Sequence, residues 1–422
     1  MKKFLICAGA GLLLSLAGGN AFAQRAVSMP SSETAAPSAP AAPPPPGMAQ
    51  NILVYGGELN SQLQALVSSP QGGGTKGAIS DDSDLDLYAN YSDWLSAYSD
   101  IKLERQRNDN LDSFYPDRNS AFRSEGLTMR QLFLAARPAD PLTVYGGKIH
   151  PNFGSAFDQE PGNFYNFGSD YEQDERIGVG AEYLLPESIG LHKLRVSFEA
   201  FMLDTSILSE SLLSRPAFDD MDPTVRFHRY TLGAFGPSNT NSLASYTLAF
   251  RGGEAERGLT YQVSFTREAT DDPSGQTEWG QSIGASYDPT GDGIPIGERL
   301  GMTPFLEYTH FSNFQNNPGL SRHYLIGGVA FTYVNWQLAL AAGLRHTSDN
   351  ANAPGGNPFG NAVATQEYKA WDHQENVSLN YSLPPSGSVP PGITVGVGVN
   401  HVIIAARSSW SFGPSLSYHR DF

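Results

Sequence analysis

The chain has 422 residues, with Lys+Arg 27 against Asp+Glu 43, a formal net charge of -16 and a single cysteine. So acidic a chain offers no basic stripe to neutralise phosphates, which excludes a nucleic-acid partner. Charged residues are only 17% while Gly (44), Phe (23) and Tyr (19) abound, which excludes an Ala/Glu/Lys/Leu-rich helical protein, and the sequence lacks the repeated apolar runs of about 20 residues that a bundle of membrane helices needs.

The N-terminus carries an address. Lys2 and Lys3 precede an apolar run from Phe4 to Ala17, and Ala21-Phe22-Ala23 follows as a small-x-small cleavage site. This predicts a secretory signal peptide over 1–23. Cys7 lies inside it, so the mature chain has no thiol and no disulfide framework. Residues 24–50 are rich in Pro, Ala and Ser and end in Pro43-Pro44-Pro45-Pro46-Gly47; they read as an extended, solvated periplasmic linker. Residues 51–422 form the remaining domain.

From Gly57 onward the dominant period is two. Trp336, Leu338, Leu340, Ala342 and Leu344 share one face of 336–346, while Gln337, Gly343 and Arg345 share the other. In a strand successive side chains point to opposite sides, so such a segment has one apolar and one polar face. The pattern predicts about sixteen strands: 57–68, 84–91, 94–105, 127–136, 142–149, 176–185, 192–205, 242–252, 258–268, 277–287, 302–312, 322–334, 336–347, 369–382, 392–402 and 409–422. Nearly all approach or exceed the 9–11 tilted residues, roughly, that cross a bilayer. Their connections alternate between short (Pro138–Pro141, Pro186–Gly190, Val334-Asn335) and long (106–126, 150–175, 206–241, 348–368). Tyr183, Phe311, Tyr333, Trp336 and Trp410 sit at strand ends, as interfacial girdles would. The fold class predicted is an all-β transmembrane antiparallel β-barrel with short periplasmic turns and long external loops.

Three stretches carry a family resemblance. The last strand, with Tyr418 and the terminal Phe422 on one parity, resembles the C-terminal assembly signal of bacterial outer-membrane proteins, though Pro414 and Arg420 depart from it. Tyr145-Gly146-Gly147-Lys148-Ile149-His150-Pro151-Asn152-Phe153-Gly154 resembles a segment of phosphate-selective-porin-like outer-membrane proteins, and Glu175-Arg176-Ile177-Gly178-Val179-Gly180 fits the same likeness. The resemblance implies a general porin in the bacterial outer membrane: a water-filled channel, often a homotrimer, narrowed by an external loop folded inward. It implies outer-membrane lipid, lipopolysaccharide, the barrel-assembly machinery and small hydrophilic solutes as partners, and no cofactor. Phosphate-selective members concentrate lysines at the constriction, and this chain does not.

The third long-side loop, 150–175, is then the constriction candidate. It carries Asp158, Glu160, Asp170, Glu172, Asp174 and Glu175 and no Lys or Arg. Carboxylates at a low-dielectric neck raise the local cation concentration and repel anions. Arg176, Arg195, Arg267 and Arg345 are the basic candidates for the pore wall, so that an acidic loop faces basic strands. Ser206–Leu213 reads as a short helix within the next long loop. Asp81, Asp82, Asp84 and Asp86 form a further acidic cluster, a divalent-ion site or a solvated face. Asp288–Gly293 resembles the start of a calcium loop but has Arg299 where the bidentate Glu belongs. The nine His show no metal-ligand spacing with a third ligand, so no metal is expected. The function expected is passive diffusion of small hydrophilic solutes or ions with a weak cation preference. The alternatives are a structural or adhesion barrel with a plugged lumen and, without a nucleophile motif to support it, an outer-membrane hydrolase.

Overall fold

The structure, a computed structural model, describes residues 53–422 except 71–73, 92–93, 106–119, 123–124, 165–166, 175, 187–192, 212–230, 233–235, 254–257, 274, 289–293, 297–298, 350–370, 387–389 and 405–406. The expected signal peptide and linker lie outside the described residues. Among the described residues eighteen segments form one sheet, and two of them, Ser120–Ala121 and Ile294–Pro295, are only two residues long. The other sixteen are β1 (Leu53–Pro70), β2 (Lys76–Tyr91), β3 (Leu95–Arg105), β4 (Glu125–Ala139), β5 (Leu142–Ile149), β6 (Arg176–Leu184), β7 (Arg195–Leu203) and β8 (Ser245–Gly253), followed by β9 (Leu259–Glu268), β10 (Glu278–Tyr287), β11 (Leu300–Ser312), β12 (Leu320–Tyr333), β13 (Trp336–Asp349), β14 (Trp371–Ser382), β15 (Ile393–Ile404) and β16 (Arg407–Asp421). Each strand pairs antiparallel with the next, and β16 returns to β1.

That last pairing closes the barrel. It runs from Glu58 opposite Asp421 to Pro70 opposite Ser409. Gly57 and Phe422 extend it by exchanging both backbone hydrogen bonds at 3.0 Å. A closed ring leaves no unpaired sheet edge, the condition for crossing lipid with strands.

The faces are inverted relative to a water-soluble sandwich. On β10 every second residue is buried, and the buried set is Glu278, Gly280, Ser282, Gly284 and Ser286. The exposed set includes Trp279, Ile283 and Tyr287. On β14 the amide and hydroxyl side chains Gln374, Asn376, Ser378 and Asn380 are buried, while Val377 and Leu379 are exposed. Leaving apolar surface exposed forfeits about 25 cal/mol per Å² in water. It costs nothing against lipid tails, so the outside is a bilayer-facing band and the inside is polar.

Tyr183, Tyr333, Trp336 and Trp410 face outward near strand ends as the sequence predicts. Phe311 does not: it is 1% exposed and packs inside on Phe153 at 5.3 Å between ring centroids. It shares parity with the inward Glu307 and Thr309, so it belongs to the lumen. The expected helix at 206–213 is, over its described part, a single 3-10 turn, Ile207–Ser209, in which Ser206 accepts from the Leu208 backbone N–H at 3.2 Å.

Leu340 lies midway along an outward row bounded by Trp336 and His346. Leu340→Arg should lower stability by about 2–4 kcal/mol, the cost of a cation at the bilayer midplane. Its inward neighbour Ala341→Ser should cost well under about 1 kcal/mol. Denaturant unfolding in lipid vesicles measures both; equal losses would contradict the inverted faces.

Candidate functional site

The loop between β5 and β6 does not project outward. From Phe153 to Gln173 it crosses the lumen and lies on the inner wall of β8 through β16. Gly154 N–H donates to Ser264 Oγ at 3.1 Å, and Gln262 Nε2 donates to the Gly154 carbonyl at 2.9 Å. Ser155 donates to Glu307 through both its backbone N–H and its hydroxyl, each at 2.6 Å, and Ala156 N–H adds 3.2 Å. At the far side Asn163 donates to Asn380 at 2.7 Å and to Ser415 at 3.0 Å, and its carbonyl accepts from Gln64 on β1 at 2.7 Å. On the way back Gln173 donates to Thr266 at 2.8 Å and Glu268 at 2.9 Å.

An apolar cluster seals this contact. Phe153, Ala156, Phe167 and Tyr171 of the loop pack with Phe305, Phe311, Tyr324 and Ile326 of β11 and β12. The wall makes room with glycine. A Cβ on Gly343 would stand 2.9 Å from the Phe167 ring, and one on Gly328 would stand 2.7 Å from Pro161.

A cavity of about 60 Å³ stays open on the side of the lumen against β2, β3 and β4. Asp84, Asp86, Asp100 and Arg130 line it from the wall, Asp158, His150 and Glu172 from the loop, and Arg251 from β8. On β2, residues two apart face the same way, so the sequence cluster becomes an inward ladder of Asp82, Asp84 and Asp86. Lys102 on β3 holds Asp82 at 3.2 Å and Asp84 at 3.4 Å.

Arg130 is aimed by a bulge. Asp100 pairs with Gln131 and Ile101 with Met129, so Arg130 is the extra residue on β4. A bulge turns such a side chain out of the alternation. The Arg130 guanidinium reaches Glu172, and Asp174 at 2.7 Å, with Asp84 and Asp100 each at 4.0 Å. His150 joins with Nδ1 3.1 Å from Asp174. Burial disfavours charge on His150, but the hydrogen bond and charge of Asp174, with Glu172 behind it, outweigh this and its pKa is raised. Among the described residues His150, Glu172 and Asp174 are the one group of three or more side chains with metal-ligand proximity. The guanidinium already stands in contact with both carboxylates, in the place of a cation.

The predicted residues separate into four situations. Asp158 is exposed to the open space and Glu172 lines it, while Asp174 is bound to Arg130. Asp170 is clamped by Arg345 at 2.7 Å, and Arg345 also holds Asp372 at 2.7 Å and lies 4.8 Å over Phe167. Asp170 and Arg345 thus form a closed ion pair on the packed side. Arg176 donates to Glu268 at 3.0 Å and to the Asp174 carbonyl at 2.6 Å, at the end of the loop. Arg195 pairs with Glu182 at 3.2 Å at the short-turn end, a strand length from the loop.

One assignment is corrected. Arg267 does not line the pore: it lies outside, over Tyr246 at 6.0 Å and Trp279 at 5.8 Å. Its parity is that of exposed Phe265, opposite to buried Thr266. Glu175 lies outside the described residues. Tyr418 and Phe422 sit in β16 and its extension along the closing seam. Asp100 and Arg130 were not singled out from the sequence. Asp100 shares parity with Lys102 on β3, which is a legible signal, but nothing in the sequence marks the bulge.

The comparisons agree with this architecture. A solved structure of Pseudomonas putida OprB matches at 11% identity and a TM-score of 0.51, covering 87% of this chain and 94% of that one. The outer membrane channel DcaP of Acinetobacter baumannii matches at 13% identity and a TM-score of 0.49, covering 87% and 97%. No protein-family model matches the sequence, and no curated protein matches it. The likeness to OprB shows the β-barrel fold.

Glu160 sits apart from these pairs. Both its carboxylate oxygens are buried and have no hydrogen-bond partner among the described residues. Burial, with the charge of Glu307 added, pushes its pKa from 4.5 up to about 8. The docked loop therefore holds a proton that a released loop gives up, and docking weakens as pH rises from the ordinary carboxylate value through about 8. Amide hydrogen exchange in 153–164, corrected for intrinsic rate, should be faster at about pH 9 than at about pH 6, and Glu160→Gln should remove the difference. An unaltered pH dependence in that variant would rule the role out.

Proposed function

We propose that this chain is an outer-membrane diffusion porin for small hydrophilic solutes, with a weak preference for cations. One observation carries the reading. The space left beside the inward-folded loop is lined by five carboxylates, Asp84, Asp86, Asp100, Asp158 and Glu172, against two guanidiniums, Arg130 and Arg251, and His150. Field lines concentrate in a water-filled neck with low-dielectric walls, so an excess of negative charge raises the local cation concentration. The acidic residues stand on both sides of the opening, Asp158 on the loop and Asp84 and Asp86 on β2. An anion therefore meets like charge whichever wall it follows. With the pairing groups included, Asp82, Asp84, Asp86, Asp100, Asp158, Glu172 and Asp174 still outnumber Lys102, Arg130, Arg251 and His150, which leaves a carboxylate excess to set the sign.

The polar inner wall supports passage of hydrophilic solutes. Hydroxyls and amides can exchange hydrogen bonds with a passing molecule without holding it. The packed side is closed by the apolar cluster under Phe153, Phe167 and Tyr171, so diffusion is directed along β2–β4.

Reversal potential in a salt gradient across a planar bilayer tests the reading. The native pore should pass cations over anions. The double variant Asp86→Asn/Asp158→Asn should bring the permeability ratio towards unity, and Glu375→Gln, on the outer face, should leave it unchanged. Anion preference, or a ratio indifferent to the double variant, would refute the acidic neck. Absence of conductance from a folded barrel would favour the plugged lumen.

A further inference from the structure

Three histidines far apart in sequence form a row on the outside of the barrel. His310 on β11 stands directly opposite His323 on β12, and His323 directly opposite His346 on β13. The His310 and His323 rings stack with centroids 4.4 Å apart and 29° between planes, and His346 follows at 6.2 Å from His323. All three have outward parity, shared with exposed Leu306, Leu325 and Leu340. They come just after the apolar band and just before Ser312, Ser321 and Ser348 at the long-loop end, so the row meets water at the band's edge.

The nitrogens of the first two rings converge. Nε2 of His310 lies 3.1 Å from Ser321 Oγ, and Nε2 of His323 lies 3.4 Å from the same oxygen. Each ring also has a partner on its other nitrogen. His310 Nδ1 is 3.3 Å from Gln281 Nε2, and His323 Nδ1 is 2.9 Å from the Tyr308 hydroxyl. A partner that accepts from Nδ1–H holds an imidazole in the tautomer that presents a lone pair at Nε2. Tyr308 Oη accepts such a proton as it stands, and Gln281 does so with its amide oxygen turned to the ring.

We infer that His310 and His323 form a surface site for a divalent transition-metal ion, bound through their two Nε2 atoms at the point now occupied by the Ser321 hydroxyl. Rotation of Ser321 vacates that point, and side-chain rotation brings both nitrogens to the roughly 2.0–2.1 Å of an imidazole–metal bond. Imidazole pairs select zinc, nickel and above all copper(II), whereas calcium and magnesium require oxygen ligands. The site is independent of the pore. It lies on the opposite face of the wall from the His150, Glu172 and Asp174 group, where Arg130 is already seated.

Copper(II), titrated into the full chain without a histidine tag in detergent, tests the inference. Electron paramagnetic resonance reads the ligand nitrogens and calorimetry the stoichiometry. The native protein should bind copper with coupling to two nitrogens and ignore magnesium. His310→Asn or His323→Asn should each weaken binding by more than about tenfold. The double variant should abolish it, and His150→Asn should leave it intact. All four variants should keep the strand pairing, and circular dichroism checks the fold. No copper binding by the native chain, binding that survives the double variant, or binding lost with His150→Asn would overturn the site.

Discussion

Everything in this molecule follows from one requirement: each backbone N–H and C=O facing hydrocarbon must be paired within the protein. The sixteen strands meet it only because β16 finds β1, down to the Gly57–Phe422 exchange at the very end of the chain. Closure then fixes the parity of every strand at once. A residue is assigned to lipid or lumen by whether it is odd or even along its strand, and a slip of one residue anywhere would reverse a whole face. Polar side chains are thereby confined to the interior, and the interior becomes the one place where a polar loop can be satisfied.

The loop at 150–174 exploits that confinement unevenly. On the side of β9–β16 the wall offers amides, hydroxyls, the Arg345 guanidinium and carboxylates, of which Glu307 takes the most bonds from the loop. Glu307 receives Ser155 twice, Ala156 once and the Tyr171 hydroxyl. Bonds to an ionised acceptor are roughly twice as strong as neutral ones, so this point anchors the limb that the aromatic cluster then covers. On the side of β2–β4 the wall carries charges of both signs that satisfy one another, and the loop meets it only through His150, Phe157, Glu172 and Asp174. The loop packs closely where apolar rings and directed hydrogen bonds to Glu307, Glu268 and Asn380 hold it, and the opening lies on the side where wall charges largely satisfy one another.

The sequence predicted the strands well because alternation is a local property. All sixteen predicted segments coincide with strands, most within a few residues at each end. The 150–175 loop is legible in the sequence only as a resemblance and a run of carboxylates, and its course along the inner wall comes from hydrogen bonds such as Ser155 to Glu307 and Asn163 to Asn380 that no sequence pattern encodes. The sequence did worse on individual faces. Arg267 was assigned to the wall although Phe265 and Trp279 share its side. Phe311 was assigned to the girdle although Glu307 and Thr309 share its side. At strand ends the apolar pattern is weakest, so residue type there says less about the face than parity does. The ladder of Asp82, Asp84 and Asp86 was visible at spacing two, but its place beside the opening depends on which wall the loop leaves bare. Arg130 and the His310–His323 contact depend on a bulge and on cross-strand register, which no spacing within one strand encodes.

The two rims of the band show why that register matters on the outside as well. At the short-turn end the outward residues are aromatic, with Trp336 and Tyr381 at 4.6 Å between centroids and Tyr333 beside them. At the long-loop end the aromatic residues are joined by cations and imidazoles: Arg267 over Tyr246 and Trp279, His346 against Trp371, His401 stacked on Trp410 at 4.1 Å. A charge at the rim of the band costs roughly 0–1 kcal/mol, against 2–4 at the midplane. Pairing each with a ring keeps its apolar surface continuous with the band while its nitrogens face water. The asymmetry gives the barrel two chemically distinct edges, and sliding it along the bilayer normal would drive Arg267 and the imidazole row into hydrocarbon. The same period of two that sorts lumen from lipid therefore also sets the depth at which the barrel sits.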